Sequence, residues 1–179
     1  MFSNWPTQLV PAVWGGLTFV AGILCKNLLD SYFNRQEEAR KFLLDKRTQL
    51  LEQQLSRFFW PLYMQLQKDN LIWERLMERN EDPKSPQSKL SMQIESGAIL
   101  PTHEEALGVI EANIHLAGDK ETCDAVLHYV RHVKVYQMLR AAGLKDDPVS
   151  HGEPYPRDIY KLIEQRVFAL QAEYDRLIA

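Results

Sequence analysis

Three side chains of this chain carry the most recognisable chemistry: Asp124, His128 and His132. They are spaced by four in a helical stretch, so they share one face and offer two imidazoles and a carboxylate to a metal ion. His115, Glu111 or His103 would have to complete the set. Against this stands a plainer reading. His128, Arg131, His132 and Lys134 form a polar, partly solvated face, offset from the apolar stripe through Cys123, Leu127 and Val130. We therefore expect no metal and no cofactor. The same face has a modest basic character, but Asp119, Glu121 and Asp124 precede it, which argues against direct nucleic-acid binding.

Other chemistries lack their residues. The eight glycines form no phosphate-cradling loop, no serine sits in a nucleophile elbow, and no Cys-x-x-Cys pair exists for zinc or redox work. The two cysteines, Cys25 and Cys123, fall in distant segments, and no disulfide is expected. Trp60 and Trp73 read as core residues rather than binding platforms. Nothing points to an enzyme.

The elements that would position these groups are all helical, since no segment alternates in strand fashion. From Asn27 to Trp60 no Gly or Pro interrupts an apolar pattern running through Leu28, Tyr32, Phe42, Leu50, Leu55 and Phe58. This stretch alone would reach about 50 Å. Glu37 and Lys41 form an i,i+4 pair of the favourable order. Pro61 should kink the helix within FFWPLY, the densest apolar spot of the charged part of the chain and the expected hub of its core. NEDPKSPQSK marks an exposed loop. A further helix is expected from LPTHEEA, with Thr102 and Glu105 spaced as a capping box and Gly118 as its C-terminal stop. Another runs through Val126, Val130 and Val133 to a stop near Gly143. The last begins at or just after Pro156.

The N-terminus differs from everything after it. No charged side chain occurs from Met1 to Cys25, and all 21 Lys/Arg and all 24 Asp/Glu follow. Leu9 to Cys25 reads LVPAVWGGLTFVAGILC, about the length that a bilayer requires. A cleaved signal peptide would carry a basic residue ahead of the run, and none is present. A lipoprotein signal would place small residues just before its cysteine, where Leu24 stands. The basic residues Lys26, Arg35, Arg40, Lys41, Lys46 and Arg47 follow the run, which puts the C-terminal side in the cytoplasm and the N-terminal tip outside. Ala12 with Gly16, Thr18 with Gly22, and Gly15 beside them form small-xxx-small pairs suited to close helix approach in lipid.

The fold class expected is thus all-α: an anchor at 1–26, a long juxtamembrane helix at 27–80 kinked near 61, an exposed loop at 81–102 and a helical bundle at 103–179. This architecture, with the FFWPLY…LIWERL region, resembles the membrane accessory protein of type VI-B CRISPR systems. The resemblance implies a bacterial inner-membrane, single-pass protein with a HEPN-like helical domain. It also implies a homo-oligomeric ring or pore that perturbs the bilayer in antiviral defence, alongside an RNA-guided nuclease. One departure matters. Catalytic HEPN domains carry Arg, four to six residues, then His. Here Arg131 abuts His132 and Arg140 lies too far from His151, so no ribonuclease activity is expected. The alternative is a membrane-tethered helical adaptor that recruits a cytoplasmic protein.

Overall fold

The structure is a computed structural model. It describes the backbone of residues 9–74 and 86–179 and the side chains of residues 26, 28–74 and 90–179. All regular structure among these residues is helical. The chain divides into two units, Met1–Arg47 and Thr48–Ala179.

Helix α1 spans Leu9–Gln53. Within the first unit the apolar side chains of Leu28, Leu29, Tyr32, Phe33, Phe42 and Leu43 are all exposed. The expected Glu37–Lys41 pair is formed at 2.9 Å. Among the described residues no helix is long and apolar enough to cross a membrane. The side chains of the charge-free run, with Ala12, Gly15, Gly16, Thr18 and Gly22, lie outside the described residues.

The second unit is built around the aromatic hub. Leu51, in the last turn of α1, is fully buried. A π-helical turn, Gln54–Phe59, follows and hands over to α2, Trp60–Ile72. Pro61 explains that turn. It has no N–H, and its ring would strike the carbonyl four residues back in a regular helix. One extra residue in the preceding turn relieves the clash, and the Trp60 N–H bonds to the Leu55 carbonyl instead. Phe58, Phe59 and Leu62 are buried, with the two rings edge to face at 5.0 Å. The hub is therefore the core, as its composition suggests.

The same device recurs at Pro101, and it corrects the expected loop at 81–102. Residues 75–85 lie outside the described residues. From Pro86 onward the chain is helical: α3 spans Pro86–Ile94, a π-helical turn spans Glu95–Ile99, and α4 spans Leu100–Asn113. The Leu100 N–H reaches back to the Glu95 carbonyl just as Trp60 reaches Leu55. Pro86 stands in a first turn, where its missing N–H is no loss. Prolines and serines that look like loop punctuation are thus absorbed into helix. Thr102 is buried inside α4 and does not cap it; the helix start has no side-chain cap.

A 3-10 turn, Ile114–Leu116, and Gly118 at φ +85° turn the chain into α5, Lys120–Ala141. Asp119 caps α5 by accepting the Thr122 N–H at 2.9 Å. Buried Gln54 donates to the Leu116 carbonyl at 2.9 Å and holds this turn against the hub. Helix α5 closes on Gly143, φ +72°, with the Leu144 N–H bonded to the Leu139 carbonyl. A short 3-10 turn, Pro148–His151, leads to α6, Ile159–Ile178. Helix α2 packs on α4 and α6, and α5 packs on α4 and α6. Their facing residues, among them Leu66, Leu107, Val126, Val133, Ile163 and Val167, share one core.

Candidate functional site

Helix α5 does not present its histidines as their spacing suggests. The buried positions are Thr122, Val126, Tyr129, His132, Val133, Tyr136 and Leu139. Thr122, Val126, Tyr129, Val133 and Tyr136 step by four and three along one stripe, and His132 lies at its edge. Asp124 is exposed and His128 only half-buried, and Leu127, expected on the apolar face, is 44 % exposed. The three proposed ligands do not converge, and no metal-holding cluster of His, Cys, Asp or Glu occurs among the described residues. The tyrosines displaced the stripe: they are large, mostly apolar rings, and they turn His132 inward.

His132 instead faces a cleft of about 500 Å³ between α2, α4, α5 and the chain leading into α6. Asp69 and Trp73 come from the end of α2, His103 from the first turn of α4, and Tyr136 from α5. Tyr155 and Arg157 come from the approach to α6 and Tyr160 from its first turn, with Asp147, Pro148 and Val149 on the rim. Such a volume is that of an ordinary small-molecule site. Trp73, expected in the core, is 43 % exposed and lines this cleft. Trp60 does pack on the core and donates to Gln171 at 3.2 Å.

The cleft is polar at its floor. His103 Nε2 lies 3.2 Å from Asp69 Oδ1, both side chains being about 95 % buried. The Tyr155 hydroxyl donates to that of Tyr160 at 2.7 Å, and Tyr160 donates on to Asp69 Oδ2 at 3.5 Å. The two rings are stacked at 5.7 Å. Burial, and next the Asp69 charge, pushes the Tyr160 hydroxyl well above the usual phenol range. Burial does the same for Tyr155 and Tyr129. These phenols stay protonated: Tyr155 and Tyr160 serve as hydrogen-bond donors, and all three as ring surfaces. Among the described residues Asp69 Oδ1, His103 Nδ1 and the Tyr129 hydroxyl have no hydrogen-bond partner.

His132 Nδ1 lies 2.8 Å from the Glu153 carbonyl, which can only accept, so Nδ1 carries a proton. Its ring meets Tyr155 edge to face at 5.0 Å. Desolvation holds its pKa below the ordinary histidine value, against the opposing pull of the Glu153 carbonyl. The neutral ring is therefore the folded form at pH 7. The unfolded chain binds this proton from about pH 6.5 downward, before the folded chain does, so acid removes stability in that window. The melting temperature should fall between pH 7.5 and 5.5, and His132→Gln should flatten that slope. An equal slope in the variant would clear His132 of the effect.

The sequence reading missed Asp69, although a signal was present. Leu55, Leu62, Leu66 and Asp69 step by seven, four and three, so an acid occupies a core register position. A carboxylate there needs a purpose or a partner. No known protein family matches this chain, and neither a curated protein nor a solved structure matches it significantly.

Proposed function

We propose that this chain is a membrane-anchored, non-catalytic effector that assembles with copies of itself and perturbs the bilayer in bacterial, CRISPR-linked antiviral defence. One observation carries the reading: 25 residues without a charged side chain, followed by Lys26, Arg35, Arg40, Lys41, Lys46 and Arg47. That order gives a single span with the N-terminus outside and the helical bundle in the cytoplasm. The exposed apolar side chains at Leu28, Leu29, Tyr32 and Phe33 support it, because they fall at the expected membrane surface. The partners in this reading are lipid, other copies of the chain and, through the resemblance, an RNA-guided nuclease. Absence of catalysis is supported by Arg131 and His132. Arg131 is exposed and lies 3.5 Å from the Glu153 carboxylate, while His132 is committed to the Glu153 backbone. Both side chains are thus engaged by Glu153.

Light scattering of the full-length protein in a neutral detergent tests this. We expect a mass of several times 20.8 kDa. Gly16→Leu should reduce it to a monomer, because only close helix approach needs the small residue. A wild-type monomer would remove the reading. The second reading, a tethered adaptor, is favoured by the cleft, since an assembly that acts only on lipid has no need of a recessed polar site. In that case Gly16→Leu would leave the function intact.

A further inference from the structure

Asp69 is only 4 % exposed, and the fold supplies little to balance its charge. His103 Nε2 stands 3.2 Å from Oδ1 but out of hydrogen-bond alignment, and Tyr160 offers one long hydroxyl contact to Oδ2. Among the described residues no Lys or Arg comes within ion-pair distance of it. A buried carboxylate ordinarily comes with a cation or a full set of donors. The rest of the cleft adds to the imbalance rather than correcting it. Glu74 and Asp147 also line it, against Arg157 as the one guanidinium among the described residues of the lining. Glu74 already accepts from Asn70, and Asp147 from the Val149 N–H, so both carboxylates are held in place.

The remaining lining is aromatic: Trp73, Tyr136, Tyr155 and Tyr160. Ring faces are electron-rich and attract cations, most strongly where water is excluded. Acid and aromatic surface together select one ligand chemistry. We propose that this cleft is a binding site for an organic cation, a primary amine or guanidinium group on a short carbon stem, with the charged end beside Asp69 and the stem against Trp73 and the tyrosines. A nucleotide fits it poorly, because its phosphates would meet Glu74 and Asp147 with Arg157, alone among the described lining residues, to offset them. The site is independent of the membrane reading and would stand if that reading fell.

Calorimetric titration of the full-length protein, in a neutral detergent at 150 mM salt, distinguishes the outcomes. Agmatine serves as the cationic probe and AMP as the anionic one. Agmatine should bind and AMP should not. Asp69→Asn keeps the shape and removes the charge, and should weaken agmatine by about tenfold or more. Because Asp69 is buried, two rim variants keep the test open if that one misfolds. Trp73→Ala and Glu74→Gln alter exposed side chains, and each should weaken agmatine several-fold without moving the melting temperature. The proposal is overturned if agmatine gives no heat at about 10 mM, if its affinity survives these substitutions, or if AMP binds more tightly.

Discussion

Phe58→Ala should cost the second unit about 3–5 kcal/mol of unfolding free energy, as removal of a fully buried ring does. Phe58 has no exposed surface, and its ring meets Phe59 edge to face at 5.0 Å inside the hub. It also sits in the π-helical turn forced by Pro61, so the backbone beside it has little freedom to collapse into the space left behind. A domain of this size has roughly 5–15 kcal/mol in all, and the substitution would leave a small remainder. Urea unfolding followed by helical circular dichroism measures it. Phe58→Leu should lose much less, since it keeps most of the apolar volume. Phe42→Ala is the control: that ring is 61 % exposed in the first unit, and its loss should change stability by no more than about 0.5 kcal/mol. Equal losses at Phe42 and Phe58 would mean that the hub is not the core.

The contrast between those two phenylalanines shows what the sequence could and could not reveal. Helical periodicity located α1, α2, α5 and α6 to within a few residues, and the FFWPLY cluster located the core, because apolar spacing reports burial directly. Pro61 and Pro101 each follow a π-helical turn that takes up the lost hydrogen bond, an irregularity of the kind expected at Pro61, and from Pro86 the chain is helical where a loop is expected. The histidines misled for a different reason. His128 and His132 share a helical face by spacing, but which face is buried is decided by Tyr129 and Tyr136, whose rings carry a hydroxyl yet pack as apolar surface. The cleft itself joins residues 69, 103, 132, 155 and 160, which come from four parts of the chain. Only tertiary packing brings them together, and Asp69 on the Leu62–Leu66 stripe was the single local sign of it.

Arg140 links that cleft to the rest of the bundle, and Arg140→Ala should cost about 2–3 kcal/mol, somewhat less than breaking a fully buried pair because the site is partly solvated. Its Nε donates to Glu95 at 2.5 Å, in the π-helical turn before α4. Its Nη1 donates to the carbonyls of Leu144 and Asp146, each at 3.0 Å, and the guanidinium lies 4.4 Å above the Tyr136 ring. Glu95 also accepts from the Tyr136 hydroxyl. One planar group thus ties the end of α5 to the turn before α4 and to the segment that leads into the cleft's rim at Asp147, Pro148 and Val149. Alanine would leave the Glu95 carboxylate without its cation and two carbonyls without this donor. Beyond lost stability, we expect faster proteolysis between Leu144 and Asp147. Arg140→Lys is the sharper variant. An ammonium keeps the charge but cannot send one donor to Glu95 and another to the two carbonyls while lying flat on Tyr136. It should recover less than half of the lost stability and little of the protease resistance. Full recovery by lysine would show that charge alone matters there, and that the forked geometry does not hold the rim.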